Sequence, residues 1–398
     1  MMKEPSPIEL AKLDGFEFFV KRDDLLGDYL GGNKARKLEF FVQNAHKFEP
    51  NLRLISYGSS QSNALAALSV FAKQKGFSLV FVCEKISHFL NENPCGNYAF
   101  ALKNGAQIIE NTEFATRKEK ALSLLNEKDI FIEEGIACDK AQWGFETLAK
   151  EIEAQSRAMG FEFDIFLPAG TGASALYVAK YSSMRVFTCA CVGDEQYLKQ
   201  QMLELEPNFC VQILSADDFL GVNSAQKLTP NLAHFFVRNS SYAVAQNSAR
   251  FFQKAKNSLA KATNLFLNAK NSFFNEINSL SKAQKQIFET AQSKAQKYTF
   301  KTAHSFTKAQ NSPKIFILKT PRKFHFAKPY KELLNMHQRA LQETGIEFSL
   351  LYDSVGLLTM LANRDIFTRK VLYIHQGGAR GNESMLMRYA YKGFLSFE

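Results

Sequence analysis

With 398 residues, 46% of them hydrophobic, the chain exceeds the usual extent of one core, so two domains, or one domain carrying an insertion, are expected. The opening MMKEPSPIEL has no apolar signal core and no run of about eighteen apolar residues occurs, which argues against secretion and membrane spanning and for a cytoplasmic location. A formal charge of +10 would ordinarily point to nucleic acid or an anionic membrane, but thirteen Lys and Arg lie between residues 222 and 313 against only Glu276 and Glu289, so the basic character belongs to that segment.

In chain order, FEFFVKR (16–22) alternates and is rich in Phe and Val, a strand leading into the acidic pair Asp23-Asp24. The tetrad Gly31-Gly32-Asn33-Lys34 follows. Two glycines permit positive φ and close backbone approach, so Lys34 can be brought onto a ligand at the mouth of the next helix. Desolvated, or set beside Arg36 and Lys37, its amine would lose basicity and could form a Schiff base with an aldehyde. By itself the tetrad equally describes a glycine turn before a basic helix. Leu38, Phe41, Val42 and Ala45 recur at helical spacing, burying one face and leaving Arg36, Lys37 and Gln43 exposed.

LRLISY (52–57) reads as a buried strand, GSSQSN as a small polar turn and ALAALSVFAKQKG as a helix stopped by Gly76, a βαβ opening. The turn sets Ser62 and Asn63 at a helix N-terminus, where an ordinary N-cap explains them as well as a ligand does. Strand and helix signals alternate through SLVFVCE, GNYAFALKNGA, AQIIE, FATRKEKALSLLNEK and IFIE, indicating a small parallel-sheet domain. WGFETLAKEIEAQSRAMG then returns to a larger sheet and ends at Gly160. In FDIFLPAGTGASALYVAK a buried strand runs into Gly170-Thr171-Gly172-Ala173-Ser174 and a helix. Converging N–H groups, the hydroxyls of Thr171 and Ser174 and the helix dipole suit a phosphate, although tight packing alone would also call for glycine. The loop lacks the lysine of a Walker motif and the spacing of a dinucleotide fingerprint.

Residues 222–313 are low in complexity. Phe252, Leu259, Phe266, Phe273, Leu280 and Ile287 fall seven apart, with Ala255, Ala262, Ala269 and Ala283 three residues after four of them, so a long helix or helical hairpin is expected. KIFILK reads as a strand and YKELLNMHQRALQETG as a helix. FSLLYDSVGLLTMLA carries Tyr352-Asp353, which could also simply cap a helix, and VLYIHQGGARG closes the sheet. Cys83, Cys95, Cys138, Cys189, Cys191 and Cys210 show no CxxC spacing, which suits buried reduced thiols and implies no metal.

KRDDLLGDYLGGNKARKLEF, SSQSNALAAL, GNYAFALKNGAQ, EEGIACDKAQWGFETLAKEI, FLPAGTGASALYVAK, LLYDSVGLLTML and YIHQGGARG, in this order, resemble the 1-aminocyclopropane-1-carboxylate deaminase and D-cysteine desulfhydrase family, pyridoxal-phosphate enzymes of the tryptophan-synthase-β group. The resemblance covers Lys21 to about Asp194 and about Phe324 to Gly381. It implies an α/β fold of type II with two open, mostly parallel sheets: a large domain from 1–51, 161–221 and 314–398, a small one from 52–160, and the basic helical insertion 222–313. It also implies pyridoxal 5'-phosphate bound by Lys34, Asn63, Gly170, Thr171, Gly172, Ala173, Ser174 and Asp353, the last facing the pyridine nitrogen.

Lys34, Ser62 and Tyr352 would be catalytic, and Ser62, Asn63, Phe326, Tyr352 and Gln376 would meet substrate. Three positions depart from the family: Ala64 where His or Gln is common, Phe326 where a second tyrosine would fall, and Gln376 where Leu or Thr stands. The implied reaction releases ammonia and a 2-oxo acid from a small amino acid. Elimination from D-cysteine is favoured over opening of the cyclopropane acid, because Phe326 lacks the hydroxyl. A serine or threonine dehydratase, or a lapsed enzyme acting as a scaffold through its basic helices, are the rivals. A homodimer is expected and nucleic acid is not; the insertion reads first as a solvated structural segment, with an oligomer or anionic-partner surface as its functional reading.

Overall fold

The computed structural model describes residues 4–27, 31–214 and 315–395, all within one compact unit. The heptad-spaced seam from Phe252 to Ile287 lies outside the described residues.

The chain opens with a hairpin absent from the sequence reading. β1 (Ile8–Leu13) pairs antiparallel with β2 (Phe16–Lys21) through Asp14 and Gly15, at φ 52° and 73°. Two left-handed residues match the right-handed twist of the flanking strands, and Asp-Gly between alternating runs is the local signal for such a turn.

After α1 (Asn33–Asn44) comes a wholly parallel four-stranded sheet in the order β5-β4-β3-β6, from β3 (Arg53–Tyr57), β4 (Ser78–Cys83), β5 (Gln107–Glu110) and β6 (Ile130–Ile132). Between its strands run α2 (Asn63–Lys75), α3 (His88–Glu92), α4 (Gly96–Lys103) and α5 (Arg117–Ser123). α2 begins where Ser62 Oγ accepts from Ala64 N (3.0 Å) and stops at Gly76, whose φ of 69° a side chain would disfavour.

The remaining elements are α6 (Gln142–Met159), β7 (Phe163–Ala169), α7 (Ala173–Tyr181), β8 (Arg185–Ala190), α8 (Glu195–Leu205), β9 (Val211–Leu214), β10 (Ile315–Leu318), α9 (Lys331–Thr344), α10 (Asp353–Ala362), β11 (Lys370–Ile374) and α11 (Asn382–Tyr391). The strands join the hairpin in a seven-stranded sheet, β1-β2-β11-β7-β8-β10-β9, parallel except at β1-β2. Every residue of β7 is buried, because helices cover both faces of the sheet, and apart from Asp164, which pairs with Arg185, its sequence is accordingly apolar. Ile165 and Leu167 enter one core with Phe145 and Leu148 of α6 and Leu176 of α7. Phe166 enters the opposite core with Met336 of α9 and Leu357 of α10.

β2, β11 and β7 are neighbours and run parallel, so the loops after their carboxyl ends emerge side by side. Those loops, with the first turns of α1 and α7 that follow two of them, hold Lys34, Gln376 to Gly378, and Gly170 to Ser174. Crevices at such strand ends are where open α/β sheets bind ligands. Among the described residues no helix is long and apolar enough to cross a membrane. The six cysteines are free; Cys83, Cys95, Cys189 and Cys191 are buried, and Cys210 is exposed.

Candidate active site

The turn before α1 is held from the segments that follow β2 and β11. Gly32, at φ +75°, donates its N–H to Asp23 O (2.7 Å), and Asn33 N–H donates to Gln376 O (3.0 Å). Lys34 follows at once, half-buried, opening into a cavity of about 300 Å³ that Asn33, Asn63, Asn97, His375, Gly377 and Gly378 also line. Burial lowers its amine to about 8, so much of it is the neutral nucleophile near that pH.

Arg36 and Lys37, expected on the solvent face of α1, are buried instead. Arg36 makes paired bonds to Asp23 (3.0 and 2.8 Å) and to Glu151 (2.8 and 2.8 Å). Lys21 Nζ joins the cluster through Glu151 Oε2 (3.0 Å), Ser6 O (2.7 Å) and Gln155 Oε1 (2.8 Å). Two cations thus meet two carboxylates out of water, which is what makes their burial tolerable. Arg36 is therefore neutralised and is not a free cation acting on Lys34. Lys37 Nζ donates to Gly135 O (2.8 Å), and burial, then the charge of Lys34, push its amine well down. The i, i+3 spacing of Lys34 and Lys37, which puts them on one helix face, was the available signal for this second amine.

The Gly170 to Ser174 loop sits beside this turn. A β-carbon on Gly135 would lie 3.4 Å from Thr171 Cγ2, so Lys37's acceptor borders the loop, and Asn33 Nδ2 donates to Ser174 Oγ (3.3 Å). Gly172 takes φ +79° as the residue before α7, whose first N–H groups have no partners within the helix. The loop meets the cavity through Asn33 and does not itself line it.

Asn63, at the start of α2, is oriented by residues that the sequence reading passed over. Asn97 Nδ2 donates to Asn63 Oδ1 (2.8 Å) and to Gln61 O (2.9 Å), leaving Asn63 Nδ2 as the free end. That end faces Gly378, where a β-carbon would lie only 2.5 Å from it. Ser62 Oγ serves as the helix cap, with its hydroxyl hydrogen still available to donate.

Tyr352, Asp353 and Phe326 lie outside the cavity lining. The Tyr352 ring packs on Gly170, where a β-carbon would lie 3.3 Å from its Cε1, and tilts against Phe326 at 5.5 Å between centroids. Asp353 is buried; its Oδ1 accepts from Tyr373 OH (2.7 Å) and its Oδ2 from Ser349 N (2.8 Å). Burial raises its carboxyl above the ordinary range. His375, also missed in the sequence, links it to the cavity, with Nδ1 3.7 Å from Asp353 Oδ2. Gly377 N–H must donate to His375 Nδ1 (3.2 Å), which leaves Nε2–H to donate to Glu347 O (3.0 Å), the neutral tautomer. Gln376 lines the cavity, but its amide is bonded at both ends to protein: Nε2 donates to Pro168 O (2.6 Å) and Oε1 accepts from Asn33 Nδ2 (3.1 Å).

A nucleophilic lysine, a glycine loop at a helix N-terminus and a buried carboxylate point to an aldehyde cofactor bearing phosphate, and residues 3–200 match the family described as pyridoxal-phosphate dependent enzyme. The chain carries a pyridoxal-phosphate dependent enzyme domain. It is 30% identical over 172 residues to a Pyrococcus furiosus protein provisionally assigned as a 1-aminocyclopropane-1-carboxylate deaminase, a match covering 41% of this chain and 50% of that protein. It is 34% identical over 182 residues to a D-cysteine desulfhydrase of Salmonella paratyphi A, covering 44% and 46%. The matches thus span about half the length of these curated relatives. The solved structure of an ACC deaminase homologue superposes with a TM-score of 0.61 at 17% identity, over 99% of this chain and 95% of that one, a likeness of fold.

The resemblance read from the sequence therefore holds, and the α/β fold with mostly parallel sheets is that of the type II pyridoxal-phosphate enzymes. The residues fit the cofactor. Lys34 supplies an amine lowered by burial to about 8, and Gly378 leaves beside Asn63 a space that any side chain would fill. The N-terminus of α7 offers unpaired N–H groups to a phosphate, and the buried Lys37 reaches the same loop's border through Gly135, which neighbours Thr171.

Proposed function

We propose that the protein is a pyridoxal-phosphate-dependent lyase that releases ammonia and a 2-oxo acid from a small amino acid, chiefly by β-elimination of the D-cysteine type. The observation that carries this reading is the Lys34 amine, lowered by burial and opening into the cavity beside Asn63, Gly377 and Gly378. When bound, pyridoxal phosphate supplies an electron sink for the carbanion formed at the substrate α-carbon.

The chain's own residues do the rest. Lys34 Nζ anchors the aldehyde and afterwards holds the α-proton, which an amine near pH 8 can both take and return. Lys37, the N–H groups from Gly170 to Ala173 and the hydroxyls of Thr171 and Ser174 are assigned to phosphate. Asn63 Nδ2 is assigned to the ring hydroxyl, and Ser62 and Tyr352 to the substrate. Asp353 is assigned to the ring nitrogen. A carboxylate raised by burial and steadied by Tyr373 and Ser349 is a stronger proton acceptor than a serine hydroxyl, and this weighs against a serine or threonine dehydratase.

Phe326 favours β-elimination over opening of the cyclopropane acid. Its ring stands 5.5 Å from Tyr352 and offers no hydroxyl to a ring carbon, whereas expulsion of a thiol asks for none. D-cysteine and water would give pyruvate, sulfide and ammonia. The cyclopropane acid is the second reading, supported by the relative of that name. The same proposal takes residues 52–160 as the smaller domain, 1–51, 161–221 and 314–398 as the larger, a cytoplasmic homodimer as the working state, and 222–313 as a solvated insertion, an anionic partner being its second reading.

The test is 2-oxo acid release from both substrates by the wild type and Phe326→Tyr. Faster release from D-cysteine, with the variant gaining on the cyclopropane acid, is expected. A wild type that prefers the cyclopropane acid overturns the β-elimination reading, and a cofactor-loaded protein inert toward both leaves the scaffold reading.

A further inference from the structure

Four polar groups run in series from β7 to the reactive amine. Gln376 Nε2 donates to Pro168 O (2.6 Å), Asn33 Nδ2 donates to Gln376 Oε1 (3.1 Å), and Lys34 Nζ donates to Asn33 Oδ1 (3.2 Å). The direction of every bond follows from its first acceptor. Pro168 O is a backbone carbonyl and can only accept, so Gln376 must turn its NH2 toward it and its oxygen toward Asn33. Asn33 must then present Nδ2 to Gln376, and its carbonyl oxygen is left for Lys34. Ser174 Oγ, the other partner of Asn33 Nδ2 at 3.3 Å, can donate or accept and cannot choose between the two amide orientations by itself. The Asn33 main chain is fixed on the same residue, through its N–H on Gln376 O (3.0 Å).

We propose that Gln376 is a positioning residue for the Lys34 amine: by fixing the orientation of the Asn33 side chain it keeps a carbonyl oxygen, and not an NH2, against Nζ. This rests on the reading of Lys34 as the cofactor-bearing lysine. With one N–H held by Asn33 Oδ1, the amine's lone pair is directed away from Asn33. Leucine at 376 can neither donate nor accept, and threonine offers one hydroxyl on a shorter side chain in place of the separate Nε2 and Oε1 that reach Pro168 O and Asn33 Nδ2, so the device belongs to this chain's own residue. The carbonyl also favours the protonated amine and so opposes the lowering by burial. Other charged groups around the amine are Lys37 on the same helix and Arg22, Asp24, Glu347 and Arg380 in the cavity lining, with His375 neutral between them.

The experiment measures the ionisation of Lys34 in the full-length chain freed of cofactor, from the pH dependence of its acylation by acetic anhydride, read by peptide mass spectrometry. Wild type should titrate near 8. Gln376→Leu frees Asn33 to turn its NH2 toward Nζ, and the midpoint should fall by about half a pH unit or more. Gln376→Glu keeps an acceptor for Asn33 in either protonation state, and its midpoint should stay at the wild-type value or rise. Asn33→Ala removes the carbonyl itself and should fall like Gln376→Leu, with no further fall in the double variant.

A Gln376→Leu midpoint equal to wild type, or Gln376→Glu falling together with Gln376→Leu as general loosening would have it, overturns the proposal. If Gln376→Leu does not fold, an unshifted Asn33→Ala overturns it equally. Trapping of the cofactor by borohydride at a lysine other than Lys34 would remove the functional reading alone, because the acylation titration reports on the amine without cofactor.

Discussion

A β-carbon on Gly32 would lie 1.7 Å from the carbonyl oxygen of Gln376, so the Lys34 turn and the end of β11 are in direct backbone contact. With φ at +75° the position is closed to side chains on conformational grounds as well. Gly32→Ala must push the two loops apart. The expected outcome is a loss of roughly 3 kcal/mol or more in urea unfolding, together with poor retention of cofactor after gel filtration. Unaltered stability and retention would mean that the two loops separate at little cost.

Lys34 is expected to be the residue to which borohydride fixes the cofactor, located by peptide mass spectrometry. Only the neutral amine attacks an aldehyde, so the rate of cofactor uptake by the cofactor-free chain should level off above pH of about 8. Below that it should fall about tenfold per pH unit. Label on Lys37, the other buried amine of α1, would reverse their roles.

Asp353→Ser should retain cofactor, because Lys34 and the Gly170 to Ser174 loop are untouched, yet lose turnover by roughly a thousandfold. The substitution also strips Tyr373 OH of its acceptor and Ser349 N of its partner. Unfolding must therefore be followed alongside activity. A variant of wild-type rate would show that Asp353 does not serve the ring nitrogen.

Arg36→Met should lower stability by roughly 3–5 kcal/mol, since it leaves the buried Asp23 and the largely buried Glu151 with, among the described residues, Lys21 as their remaining cation. The same change should loosen α1 under Lys34, and chemical denaturation with and without cofactor reads both effects. Arg36→Lys should recover only part of the loss, because an ammonium cannot reproduce the paired bonds to two carboxylates.

What the sequence determined by itself was what short-range chemistry specifies. The Ser62 cap and the Gly76 and Gly160 stops bound their helices, the apolar run Ile165 to Ala169 of β7 marks a strand covered on both faces, and the glycine turns lie where the chain must leave a strand for a helix. β1 was legible too, in Asp14-Gly15 between two alternating runs, and was missed. Only the tertiary structure decided which charges are inside. Arg36 and Lys37 read as solvent-facing because periodicity sees one helix, whereas their burial depends on Glu151, 115 residues from Arg36, and on Gly135 O, 98 residues from Lys37. For the same reason the orientation of Asn97 on Asn63, the tautomer of His375 and the spent amide of Gln376 could not be read ahead. Hydrogen-bond direction is settled by whichever donor or acceptor the fold brings within about 3 Å, and no local pattern records that partner.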